Sequence, residues 1–186
     1  MSVLDIRVLG DPVLRQETSL VDQITDELRA LAAHMFETMY LAKGIGLAAP
    51  QVGRGERMAV VDVNDHPLVI INPEIIELDP KTAKAEEGCL SIPDVYGDVV
   101  RPSRVRVRAL DLEGTSFEVE ADELLARCLQ HEIDHLHGKL FIDYLSVLKR
   151  RAALAKWSKE KDKYPSFVRK LETDPTRTHE HPDEEL

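Results

Sequence analysis

The chain has 186 residues, with 24 Lys and Arg against 34 Asp and Glu, a formal charge of −10, and 43% hydrophobic residues. This is the composition of a soluble globular protein large enough to bury roughly 70% of its unfolded surface; it excludes a disordered chain and, by its sign, a general nucleic-acid binder. Two cysteines exclude a disulfide framework and suggest a reducing compartment, and no apolar run approaches the roughly 18 residues of a membrane span.

The opening MSVLDIRVLGDP lacks the basic and apolar blocks of a secretory signal. The first helical pattern covers 26–42, where Leu28, Leu31, Met35, Phe36 and Met39 form one apolar stripe, Thr25 stands as N-cap and Gly44 as stop. After the glycine-rich GIGLAAPQVG, residues 58–63 and 68–76 predict strands joined by a turn at Asn64-Asp65-His66-Pro67. Residues 105–111 and 115–120 both alternate around Glu113-Gly114 and predict a hairpin. A second helix covers 122–137, with Leu124, Leu125, Cys128, Leu129, Ile133 and Leu136 on its apolar face, and a third covers 147–163 behind Ser146. Strands clustered between helices at hairpin spacing predict an α+β fold, with mostly antiparallel sheets around a central helix and helices near both ends.

Charge is uneven. Residues 1–145 hold 14 basic and 26 acidic residues (−12), 146–170 hold nine and two (+7), and 171–186 hold one and six (−5). The polar, Pro-containing C-terminus has too little apolar surface to offset the entropy of ordering. The expected division is one domain over 1–165 and a flexible acidic tail over 166–186.

The second helix carries His131-Glu132-Ile133-Asp134-His135. Histidines at i and i+4 share a helix face, so their imidazoles can converge on one metal ion, and Glu132 can reach a water on that metal without ligating it. A catalytic site needs a third protein ligand and an open position. Cys128 lies roughly 8 Å along the helix axis from the midpoint of the pair, too far for a short side chain, and is expected as a small buried hydrophobe. Cys89, in Glu87-Gly88-Cys89-Leu90-Ser91, is better placed and would complete an S/N/N/O tetrahedron suited to Fe²⁺ or Zn²⁺. GIGLAAPQ lacks the lysine of a phosphate loop; its one side-chain donor, Gln51, is a candidate to hold an oxyanion, although taken in isolation the stretch reads rather as a tight small-residue turn.

GIGLAAPQ (44–51), EGCLS (87–91) and QHEIDH (130–135), in this order and at these separations, resemble the peptide deformylase family. The similarity covers residues 1 to about 165. The resemblance implies a divalent metal held by Cys89, His131 and His135, Fe²⁺ in the cell and replaceable by Zn²⁺, Ni²⁺ or Co²⁺. It implies Glu132 as proton shuttle, with Gln51 and the Leu90 N–H as oxyanion donors. The implied substrate is the N-formyl-methionyl end of a nascent chain, hydrolysed to formate and a free N-terminus in the cytoplasm. Backbone at Ile45, Gly46 and Gly88 would pair with the peptide as an added strand. Ile45, Leu124, Cys128 and His131 match pocket positions for the methionine side chain. Three residues depart from the pattern: Asp94 where glycine is frequent, Arg127 at a pocket-rim position that is often apolar, and His137, expected at the surface, where asparagine is common.

Two other classes fit parts of the pattern. A zincin-type peptidase shares H-E-x-x-H but would take a downstream Glu or His as third ligand, for which the His179/His181 pair in the expected tail could be nominated. A ribosome-associated module with a structural metal would want four protein ligands and no free carboxylate beside them. The basic segment 146–170 suggests docking on ribosomal RNA, or alternatively an ordinary solvated helix balancing an acidic body. No DNA or membrane partner is expected.

Overall fold

Helix α1 (Asp26–Leu41) starts where the Thr25 hydroxyl accepts the Leu28 N–H at 3.2 Å, and its apolar stripe of Leu28, Leu31, Met35 and Met39 is buried. Helix α2 (Glu123–Leu136) buries nearly everything from Ala126 to His135, and α3 (Val147–Glu160) is capped by Ser146. The strands, in chain order, are β1 (Ile6–Arg7), β2 (Gly46–Ala48), β3 (Met58–Asp62), β4 (Pro67–Leu78), β5 (Thr82–Glu87), β6 (Gly97–Pro102), β7 (Arg104–Leu110), β8 (Ser116–Asp122) and β9 (Val168–Arg169). The structure, a computed structural model, describes residues 3–172.

All pairings between these strands are antiparallel. The main sheet has the order β2-β3-β4-β7-β8, while β5 pairs β6 and β1 pairs β9 in two-stranded units. The β3–β4 turn places Asn64 and Asp65 at φ 56° and 59°, the left-handed geometry that matches a two-residue hairpin to strand twist. Strand β3 lies between two helices. Val60 packs with the α1 stripe, whereas Ala59 and Val61 pack with Cys128, Leu129, Ile133 and Leu136 of α2. Period-2 alternation sends those side chains to opposite faces, and because both faces are covered the strand reads as a continuous apolar run. The α+β architecture predicted from the sequence is the one observed.

Strands β1 and β2 are not predicted from the sequence, and three further features depart from expectation. The third helix ends at Glu160, and Lys161–Lys163 tighten into a 3₁₀ turn. The hairpin β5–β6 escapes the pattern analysis. The boundary at 166 also shifts: Ile6 pairs Arg169, Arg7 pairs Val168, and Leu171 packs against the α1 cluster, so 166–172 lie on the body. Backbone pairing, the Arg169 bond to the Leu90 carbonyl and the packing of Leu171 hold a segment whose composition alone suggests none. The rest of the expected tail, with His179 and His181, lies outside the described residues. Among the described residues no helix is long and apolar enough to cross a membrane.

Candidate active site

Two elements supply the site. On α2, the i, i+4 spacing brings His131 and His135 into edge contact, Nε2 to Nε2 at 3.2 Å. The loop that leaves β5 presents Cys89, whose Sγ lies 3.3 Å from His135 Nε2. The three ligand atoms lie within 4.8 Å of one another, all are buried, and among the described residues no fourth Cys, His, Asp or Glu joins them. A tetrahedral ion with bonds of roughly 2.0–2.3 Å separates its donors by roughly 3.3–3.6 Å, so this donor set fits a divalent metal with one position left for water. Burial opposes charge on both imidazoles. Hydrogen bonds to Cys89 and Glu87 nonetheless hold His131 up to about 10, while burial and the neighbouring His131 push His135 well below its usual range. The cluster calls for positive charge at its centre.

Glu87 holds this geometry from behind. Its Oε1 takes the His131 Nδ1–H at 2.9 Å, which turns Nε2 towards Cys89 and His135. Arg101 grips both carboxylate oxygens at 2.7 and 2.9 Å, and Arg127 adds a third contact at 2.7 Å. Burial alone would raise the Glu87 carboxyl, but His131 and Arg101 hold it well below the usual carboxylate range. Nothing in the sequence marks Glu87 or Arg101 as a functional residue. Glu87 stands two residues before Cys89 and adds no spacing signal, and Arg101 looks like any charge in a strand.

Gln51 sits on a 3₁₀ turn, Ala49–Val52, and is 1% exposed. Its Oε1 accepts the Ala48 N–H at 2.8 Å, which fixes the amide so that Nε2 faces Ser91 Oγ at 3.1 Å and Cys89 Sγ at 3.6 Å. Glu132 Oε2 is buried with no hydrogen-bond partner, and burial pushes its carboxyl up to about 7. Gly46 makes room for it. A Cβ there would stand 2.9 Å from Glu132 Cγ and overlap Oε1. The glycine is needed for space and not for backbone conformation. Leu90 is buried beside Gly44, and its carbonyl accepts from Arg169 at 3.1 Å.

Strand β2 is an edge of the main sheet. The Ile45 carbonyl is taken by the Asp62 N–H at 2.8 Å, so the alternation of an antiparallel ladder turns the Gly46 backbone towards the open side. Gly88 follows β5 in the loop that reaches Cys89. Ile45 and Leu124 are half-buried and pack on the cluster that contains Cys128; the Cys128 thiol, raised by burial, points at the Ile45 carbonyl. Of the three departures, His137 is exposed and contacts Glu17, and Asp94 is exposed at φ 62°, a left-handed position that favours glycine and tolerates aspartate. Arg127 is a correction. It does not open onto a pocket rim; its stem is buried and its guanidinium is turned to Glu87 because that carboxylate and two carbonyls offer acceptors there.

With Ala at position 46, Glu132 must shift. Gly46→Ala is expected to cost roughly 10²-fold in kcat/KM while circular dichroism stays native, checked by steady-state hydrolysis.

Comparison with known proteins identifies relatives of this chain. The family model described as Polypeptide deformylase matches residues 3–151. The peptide deformylase of Acinetobacter baumannii (strain SDF) is 54% identical over 162 residues, 86% of this chain and 92% of that one. A crystal structure of a peptide deformylase from Legionella pneumophila aligns with TM-score 0.83 and 46% identity, covering 87% of this chain and 96% of that chain. One from Synechococcus elongatus, in complex with actinonin, aligns with TM-score 0.81 and 48% identity over 83% and 88%. The chain belongs to the polypeptide deformylase family, metal-dependent hydrolases that remove the N-formyl group from newly made proteins.

Proposed function

We propose that Cys89, His131 and His135 hold one divalent ion, Fe²⁺ in the cell, with Zn²⁺, Ni²⁺ or Co²⁺ able to replace it. When bound, that ion supplies positive charge that acidifies water and polarises the formyl oxygen. The chain's own groups do the rest. Glu132 takes the proton of the attacking water and delivers it to the amine nitrogen as the C–N bond breaks. The Gln51 Nε2–H and the Leu90 N–H receive the oxyanion. The peptide adds to the open edge of β2 through Gly46, flanked by Ile45 and Gly88, and its methionine side chain enters the apolar surface of Ile45, Leu124 and Cys128. Formate and a free α-amine leave.

One observation carries this assignment. An unpartnered glutamate oxygen and an amide with its donors fixed both flank three converging ligand atoms. The zincin alternative loses support because an upstream thiol already completes the donor set. The structural-metal alternative loses support because the set has three members and a free carboxylate next to it. A reducing interior, suggested by the free Cys89 and Cys128, suits a cytoplasmic enzyme. Formate release from a formyl-methionyl peptide by anaerobically prepared protein tests the roles. Gln51→Ala is expected to lose 10²–10³-fold, about 3–4 kcal/mol, and Glu132→Gln 10²–10⁴-fold, both with metal content unchanged. A Glu132→Gln protein with full activity would remove the base from this scheme.

A second reading concerns α3. Ala153 and Trp157 are its buried residues, and the Trp157 Nε1–H anchors to the Leu9 carbonyl at 3.1 Å. The rest of the helix faces solvent, with Val147 78% and Leu148 79% exposed beside Lys149, Arg150 and Arg151. A basic, partly apolar face on an acidic body suits ribosomal RNA, and the segment 146–170 is proposed to dock there. Cosedimentation with ribosomes should fall steeply between 50 and roughly 200 mM salt and should be lost when Lys149, Arg150 and Arg151 are changed to Glu. Unchanged cosedimentation would refute it.

A further inference from the structure

Arg127 is the one charged residue buried on α2 that the chemistry above leaves without a task. It precedes His131 by four residues and His135 by eight, so helix geometry puts all three on one stripe. Its Nη1 donates to Glu87 Oε2 at 2.7 Å and to the Val99 carbonyl at 2.9 Å, and its Nη2 donates to the Ala83 carbonyl at 2.8 Å. All three acceptors belong to the β5–β6 hairpin, the hairpin that runs directly into Cys89.

The donor set is split between these two elements. Two ligands ride on the helix, and the third lies in the loop that joins the two strands of the hairpin. The helix alone fixes the distance between the imidazoles, but the thiol-to-imidazole distance depends on how α2 seats on the hairpin. Glu87 touches His131 from the hairpin side, and Arg101 reaches from the hairpin to Asp134 of α2 at 2.9 Å. Arg127 is the guanidinium that reaches the other way, from helix to hairpin.

We propose that Arg127 is a positioning residue: its guanidinium clasps α2 to the β5–β6 hairpin and seats Glu87 against His131 Nδ1, which holds the Cys89 thiol at ligating distance from the two imidazoles. The inference rests on the reading of Cys89, His131 and His135 as metal ligands. Three acceptors spread around one planar fork suit arginine; lysine, a single point charge, can satisfy only part of the set. An apolar residue of similar length would take the arginine donor from the Val99 and Ala83 carbonyls and leave Glu87 with one guanidinium, shared with Asp134.

The test uses full-length protein loaded with Co²⁺ under anaerobic conditions, as wild type, Arg127→Leu and Arg127→Lys. Three quantities are read: the rate of Co²⁺ loss to excess chelator followed by its visible spectrum, Tm, and kcat and KM on formyl-Met and formyl-Phe peptides. Arg127→Leu should release Co²⁺ roughly 10- to 100-fold faster with an altered spectrum, lower kcat, an unchanged KM and an unchanged preference for methionine. Arg127→Lys should lie between, and it carries the comparison if the leucine variant does not fold. Wild-type release and spectrum with only a lower Tm would make Arg127 purely structural and overturn the proposal. Wild-type release with a changed Met-to-Phe ratio would overturn it in favour of a pocket-lining role. If the wild type takes up no stoichiometric Co²⁺, or Cys89→Ser takes it up unchanged, the ligand reading beneath the proposal fails instead.

Discussion

Cys89 Sγ and the Nε2 atoms of His131 and His135 crowd within 4.8 Å of one another in a buried cluster, an arrangement that needs shared positive charge, a proton or a metal ion, at its centre. Much of the surrounding architecture answers to that constraint. The helix supplies the imidazole pair by its own periodicity, yet it must be buried to do so, and burial brings Gln130, Glu132 and Arg127 inside with it. Each of these polar groups needs a partner or a chemical use. Gln130 donates to the Pro102 carbonyl, Arg127 satisfies the hairpin, and Glu132 alone keeps an oxygen without a partner. That oxygen is the one the proposed scheme uses to carry a proton.

The buried network around Glu87 is costly in isolation, since removing charges from water is repaid only by close geometry and complete hydrogen bonding. Here the geometry is close. Two guanidiniums and one imidazole meet the carboxylate, and Asp134 takes the remaining arm of Arg101 together with the Tyr144 hydroxyl at 2.8 Å. Such a network does more for alignment than for stability. It ties the hairpin to the helix through directional bonds, whereas apolar packing would tolerate small slides. A donor set divided between two elements needs that directionality.

What could be read from the residues follows the physics of each signal. The stripes of α1 and α2, the run of β3 and the alternation of β7 and β8 were legible because burial on one or two faces writes a period into the sequence. The hairpin β5–β6 was not: five of the six residues of TAKAEE are exposed, so no period is written. Strand β2 was hidden by its own composition, since Gly46 and Ala48 are small for reasons of close approach. The three donor residues that converge were legible from spacing on α2 and from the resemblance of three short motifs. The Glu87–Arg101–Arg127 network was not, because its partners lie 14 and 40 residues apart and only the fold unites them. Arg127 in particular looked like a rim residue, and its direction is set by acceptors that no local pattern reveals.

The central claim is that one thiolate and two imidazoles, with no fourth protein ligand, hold the metal. X-ray absorption of the Zn²⁺-loaded protein tests it most directly. The account predicts one sulfur scatterer at about 2.3 Å and three nitrogen or oxygen scatterers at about 2.0–2.1 Å, two of them imidazole. A first shell without sulfur, or with a second one, would contradict it.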